Sequence, residues 1–445
     1  MASDLLSIGR SGAQTARAAL DVTAQNIANA ASEGYVRRSV RLEEVASSGG
    51  FARIGDLSLS GVRLDRVVRN ADLFRQSEVR RTGADAARAT AEVAGLENIE
   101  AAVEQSRVYP AIVQFEAALQ QLAVDPVDPS LRAAVIEDAR TMARTFNIAA
   151  TSLDAVGTGL RFEAEDGVNQ VNTLAGELAR VNLRLARAAD ASSDQTALLD
   201  QRDSLLQRLS GFVDVSATIS ADQTVEVRLG GSSGPQLVMG GTASPFAMTT
   251  AANGTIAFTL AGNPVAPAGG ALAGKALALE KLDSIRSGLD AIAASLIDTL
   301  NTAQGAGVAR DGSPGQPMFT GSDAASMALA FSDGLLIATA PAGAGANSRD
   351  PGNLVSLRAA LSAADPARAM DALIFDISGA VAGRSITRDA LVTIAGTAEV
   401  ALKAQSGVDL DQEAVNLVRF QQAFQASGRV MQVAADLFDT LLAIK

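Results

Sequence analysis

Four aspartates, Asp125, Asp128, Asp190 and Asp194, are the first residues of this chain whose type suggests chemistry. Loop carboxylates can chelate Ca²⁺. An EF-hand loop, however, needs oxygen ligands at alternating positions and a closing Glu, and neither stretch has that spacing. Turn and cap duty is the reading they support. The glycines of Gly9–Gly12 and Gly305–Gly315 lack the Gly-x4-Gly-Lys-Ser/Thr pattern of a phosphate loop. Glu43 and Glu44 form an acidic pair, but hydrolysis by two carboxylates needs a cleft between them, and this pair falls in an extended segment. The chain has no Cys, no His and no Trp. That excludes disulfides, Cys- or His-bound zinc, Cys nucleophiles and His bases. No catalytic residue, metal or cofactor is assigned, and the chain is not read as an enzyme.

The informative spacing is apolar. Leu6, Ala13, Leu20 and Ile27 recur every seven residues, with Gly9, Ala16, Thr23 and Ala30 three further on. At the other end Leu410, Leu417, Phe424, Met431 and Phe438 repeat at seven, followed at three by Phe420, Ser427, Ala434 and Leu441. These are the a and d positions of two helices built to lie against other helices. One seam carries small residues and the other large ones, so the ends are predicted to pair with each other or with neighbouring copies. Isolated helices are marginal in water, so the ends are expected to order on docking. A chain whose ends pair while its middle loops out is the plan of a subunit in an axial polymer.

The fold class that follows is mainly α with a β insertion: a terminal coiled coil, a helical-bundle body and a small antiparallel β lobe. Residues 1–35 and 405–445 form the terminal coiled-coil domain. Residues 36–82 form an extended linker, punctuated by Ser47-Ser48-Gly49-Gly50, Gly55 and Gly61. Residues 83–211 and 271–404 form the helical body, with loops and short strands over 304–352. Breaks are predicted at Tyr109-Pro110, at Asp125-Pro126 to Asp128-Pro129, and at Gly157-Thr158-Gly159. Residues 212–270 are the inserted β domain, where the apolar period switches to two and Asn253-Gly254 marks a hairpin.

Composition narrows the partners. The 445 residues hold 37 basic and 49 acidic side chains, a net charge of −12, which argues against nucleic acid as the main partner. Residues 1–81 hold twelve Arg and nine acids, net +3, leaving −15 for the remainder. A basic end facing an acidic neighbour in an assembly fits that bias. No apolar run reaches the roughly 18–20 residues of a membrane span, and no cleavable signal peptide is expected at the start.

Two terminal stretches resemble a known family. Leu5-Leu6-Ser7-Ile8, Ala24-Gln25-Asn26-Ile27-Ala28-Asn29-Ala30 and Glu33-Gly34-Tyr35 are similar to the opening signature of bacterial flagellar rod, hook and hook-associated proteins. Ser406-Gly407 through Phe424-Gln425-Ala426, then Ala435-Asp436-Leu437-Phe438, resemble the ending of the hook-associated protein 1 family. Two internal stretches also match that family. One is Leu122 to Pro129 with Arg132; the other is Leu198-Leu199-Asp200-Gln201-Arg202-Asp203 with Leu206 and Leu209-Ser210. The family usually has Thr-Pro where Ser32-Glu33 stand here.

The resemblance implies a structural adaptor, exported through the flagellar apparatus without signal cleavage. It would polymerise extracellularly at the distal end of the hook and join hook to flagellin filament. Implied partners are copies of itself, hook protein, hook-associated protein 3 and a cytoplasmic export chaperone on the carboxy-terminal helix, with no nucleic acid and no membrane. Rival readings are another axial protein (hook-associated protein 3, hook or flagellin-like) or a secreted enzyme or adhesin with flagellar export ends.

Overall fold

The computed structural model describes residues 2–32, 34–47, 58–188 and 193–443. The glycine-rich turn expected over 48–57, Glu33, Asp190 and the side chain of Leu441 lie outside the described residues. The first half comprises α1 (Ala2–Ala28), β1 (Arg38–Ser47), β2 (Ser58–Arg69), α2 (Leu73–Ser106), α3 (Val108–Leu122), α4 (Pro129–Leu185) and α5 (Ser193–Phe212). Short strands follow: β3 (Val215–Ile219), β4 (Val225–Leu229), β5 (Gln236–Met239), β6 (Thr242–Ala243), β7 (Phe246–Thr250), β8 (Ile256–Leu260) and β9 (Asn263–Val265). Then come α6 (Ala271–Gly305), a loop region with two-residue strands, α7 (Gly352–Ala364), α8 (Pro366–Ser406) and α9 (Leu410–Ala443). The fold is mainly α with small antiparallel sheets, as the periodicity implied.

The chain divides into two compact units. The first holds Met1–Gly83, Val171–Pro245 and Val392–Lys445; the second holds Ala84–Gln170 and Phe246–Leu391. The stretch 212–270 is therefore shared out. Strands β3-β4-β5-β6 form one antiparallel sheet in the first unit, and β7-β8-β9 form another in the second. Pro245, with no N–H to extend a ladder, stands between them.

In the first unit β1 and β2 make a long antiparallel hairpin with two register shifts. It packs along α1, where Ser11 Oγ accepts from Val62 N at 3.3 Å. Gly61 is required there twice over. Its φ is +106°, and an added Cβ would collide with the Ser11 hydroxyl of α1. Val171, Leu174, Leu178, Leu205, Leu209, Val225, Val227 and Leu237 are buried within the same unit. Asn182 pins the sheet to α4: its amide donates to Val225 O at 2.8 Å and Gly240 O at 2.9 Å and accepts from Val225 N at 2.9 Å.

The second unit is a helical core. Ile99, Ile112, Phe115, Met142, Phe146, Leu153, Ile285, Leu289 and Leu300 are buried together. One predicted break moves and another is absent. The chain turns at Arg107 (φ +60°), two residues before Tyr109, and Pro110 sits in the first turn of α3, where its missing N–H costs nothing. At Gly157-Thr158-Gly159 there is no break, and α4 runs unbroken for 57 residues. A mid-helix glycine costs about 1 kcal/mol. Here Leu153, Leu160 and Ala164 are buried on either side of it, which outweighs that cost.

The break at Asp125–Pro129 holds. Asp125 Oδ1 accepts from Val127 N, and Asp128 Oδ1 accepts from Ser130 N and Leu131 N. These are the turn and cap duties expected of them. Arg132, just beyond, is fully buried without a carboxylate. It donates to Pro126 O (2.6 Å), Gly334 O and Ile337 O (both 2.9 Å) and Thr339 Oγ1 (2.7 Å), so it stitches the 334–339 loop onto α4. Burial, and secondarily Arg310, pushes its pKa down to about 10.

Candidate functional site: the paired ends and the polar joint at their base

The two end helices find each other within one chain. Gly9 faces Ser427 O and Met431, Gly12 faces Ser427 Oγ, and Asn26 bonds Glu413, so α1 and α9 run antiparallel. The buried line of α1 is Gly9, Ala16, Ala19, Thr23 and Asn26. An added Cβ on Gly9 would lie 2.7 Å from Met431 Cγ and 3.2 Å from Ser427 O. The small side chains are what permit so close an approach.

The a and d positions separate in burial. On α1 the d residues Gly9, Ala16 and Thr23 are buried, while Ala13 and Leu20 are half-buried and Leu6 and Ile27 exposed. On α9 Leu417, Phe420, Ser427 and Met431 are half-buried and Ala434 is buried, but Leu410, Phe424 and Phe438 are exposed. Leu5, Ile8, Val415, Val418, Val433 and Leu437 add to the exposed set. The pairing therefore uses the small d face of α1 and leaves large apolar side chains of both helices uncovered.

At the base of this pair lies a polar joint. Asn26 uses its full hydrogen-bonding capacity. Its Nδ2 donates to Arg38 O (2.8 Å) and Glu413 Oε2 (3.2 Å), while its Oδ1 accepts from Arg38 N (3.0 Å) and Tyr35 Oη (2.9 Å). Arg37 Nε meets Glu413 Oε1 at 2.7 Å, and Arg37 N donates to Ser406 O. Asp200 receives Arg38 Nη2 and Arg69 Nε, both at 2.9 Å. Asp203 is gripped from two sides: Arg202 chelates Oδ1 at 2.8 and 2.9 Å, and Arg69 and Gln76 donate to Oδ2 at 2.9 and 3.0 Å. The remaining Arg202 nitrogen donates to Gln223 O in the β3–β4 turn.

The electrostatics follow from burial. Desolvation alone would raise the Asp203 carboxyl, but Arg202 and Arg69, by charge and then by hydrogen bond, together hold it below its ordinary value. Burial pushes the Tyr35 phenol up, opposed by Arg38, whose guanidinium lies 5.2 Å from the ring centre. Among the described residues, the joint's acids Asp200, Asp203 and Glu413 are each held by arginines. Its chemistry is that of a fastener.

The residues picked from motifs converge here. Asn26, Tyr35, Asp200, Arg202 and Asp203 are all in the joint. Asn29 turns the chain out of α1 by bonding Gln25 O, and Gly34 adopts φ +76°. Sequence reasoning missed Arg37, Arg38, Arg69, Gln76 and Glu413. Glu413 did carry a signal, since it lies one heptad before Phe420, Ser427 and Ala434 and so puts a charge in an apolar seam register. Among the described residues no group of His, Cys, Asp or Glu could hold a metal ion. Among the described residues no helix is long and apolar enough to cross a membrane.

The sequence is similar to known flagellar proteins along much of its length. Residues 6–35 match the flagella basal body rod protein model, and residues 404–444 match the flagellar basal body rod FlgEFG protein C-terminal model. Flagellar hook-associated protein 1 of Bacillus subtilis is 28% identical over 240 residues, covering 50% of this chain and 47% of that protein. Its Salmonella typhimurium counterpart is 26% identical over 337 residues, covering 72% of this chain and 59% of that protein. The matched stretches thus span about half the length of these relatives. A solved structure, the flagellar hook junction protein FlgK from Burkholderia pseudomallei, aligns over 55% of this chain and 46% of that one, at 25% identity and a TM-score of 0.48. Residues 93–319, more than half of the 445, match the model of the flagellar hook-associated protein FlgK helical domain, and the chain belongs to that family.

Proposed function

We propose that this chain is a structural adaptor which polymerises at the distal end of the flagellar hook and joins the hook to the flagellin filament. The observation that carries this reading is the uncovered apolar surface of the end helices. Leu6, Ile27, Leu410, Phe424 and Phe438 are large, apolar and exposed in the single chain. Patches of this kind mark surfaces that another protein covers. In this reading Leu6, Ala13, Leu20, Ile27, Leu410, Leu417, Phe420, Phe424, Met431, Phe438 and Leu441 line contacts within and between subunits. Residues 1–35 with 405–445 are the polymerising part. The partners are further copies, hook protein on one side and hook-associated protein 3 on the other. Before export a cytoplasmic chaperone covers the carboxy-terminal helix. The protein works outside the cell and catalyses nothing.

Deletion of the gene, viewed by electron microscopy with flagellin assayed in the medium, tests the reading. Bare hooks with flagellin lost to the medium are expected, and normal filaments would overturn the junction role. Both chain ends match models named for rod proteins, which favours a rod or hook position as the second reading. Cells without hooks would establish that one instead.

A further inference from the structure

Beside the joint, the first unit contains a cavity of about 720 Å³. Arg80, one turn beyond Gln76 on α2, lines it and is only 8% exposed. Asp203 is the acid whose charge acts on Arg80. Both oxygens of that carboxylate are already taken by Arg202, Arg69 and Gln76. Arg80 itself makes no hydrogen bond or ion pair with any described residue. Arg132 is buried too, but four oxygens meet its guanidinium. Arg80 has none among the described residues and faces the cavity, where a buried cation is costly unless the cavity supplies an acceptor. The exposed cations Arg208 and Lys403 line the same walls, against one further acid among the described residues, Glu399. Val36, Val79 and Leu402 supply apolar wall, which suits a charged group on a carbon stem better than a bare inorganic ion.

We propose that this cavity is a receptor for a carboxylate brought from outside the unit, with Arg80 as its counter-ion. A guanidinium fork matches a carboxylate in a two-pronged bond. The carboxylate comes either from a small free acid or from an acidic side chain of a second copy, since residues 82–445 carry a net −15. The inference stands whether or not the junction reading does.

The probe is glutarate, added to the purified full chain and compared with chloride at equal ionic strength. Glutarate should raise the melting temperature of the wild type by a few degrees and leave Arg80→Gln unmoved, with Arg80→Lys between them. Should Arg80→Gln fail to fold, the exposed pair Arg208→Gln with Lys403→Gln keeps the test open. That variant should need a severalfold higher glutarate concentration for the same shift. An equal shift in wild type and variants overturns the proposal. So does a shift that appears only after Glu33→Gln, because Glu33 lies between the lining residues Ser32 and Gly34 and would then be an internal counter-ion. Sedimentation at rising protein concentration separates the two sources. Glutarate that weakens self-association points to the second copy, and glutarate that leaves it unchanged points to a free acid.

Discussion

Asp203 is held by two arginines and a glutamine; its removal takes the carboxylate from Arg202 and Gln76 and leaves Arg69 with Asp200 alone. Asp203→Ala would leave Arg202 buried without a carboxylate and Arg69 sharing Asp200 with Arg38, at a cost of about 3–5 kcal/mol. Urea unfolding measures that loss directly. The pH dependence has a definite sign. The folded chain holds the carboxyl below its ordinary value, so it binds the proton more weakly than the unfolded chain does. The stabilisation is complete above about pH 4, where the unfolded carboxyl is ionised. It disappears as acid carries the pH down through the lowered folded value. Urea midpoints should therefore drop in acid, and Asp203→Asn should flatten the drop. Asp200, Arg202 and Asp203 were legible in the sequence through the resemblance of their stretch to a known family. Their partners Arg38 and Arg69 were not, because arginines on a strand look like any solvated edge until the fold brings them together.

At the level of elements, the α1–α9 pair rests on close approach. Gly9→Val would drive two methyls into Met431 and the Ser427 carbonyl. Overpacking of this kind costs about 1–3 kcal/mol. Faster amide exchange along α1 and α9, with α4 unchanged, is the expected signature. Helix types and most ends were legible, since seven-residue periods and X-Pro boundaries are local signals. The face used was less legible. Both a and d positions satisfy a heptad, and only the packed geometry reveals that the small d face of α1 is the one that closes. Gly157 and Gly159 inside α4 misled for a related reason: propensity is local, but the burial that outweighs it is not.

For the molecule as a whole, Phe424 separates folding from assembly. It is 44% exposed, so Phe424→Asp should leave the single chain's melting temperature within a degree or two, while swimming and incorporation into hooks are lost. Retained motility in that variant would remove Phe424 from any subunit contact. The division of residues 212–270 between two units was not legible, because alternating strands announce a sheet but not which sheet they join.

The joint also bears on chains that end too soon. Asn26 and Arg37 meet Glu413 across 387 and 376 residues of sequence. A product broken between positions 407 and 412 carries every other fastener of the joint and lacks this one. Its Asn26 amide loses one of four bonds, its Arg37 guanidinium loses its carboxylate, and the small-residue face of α1 loses much of its cover. Such a fragment is marked as incomplete at the opposite end from its break. The molecule thus carries its own completeness check, read at the base of the first helix.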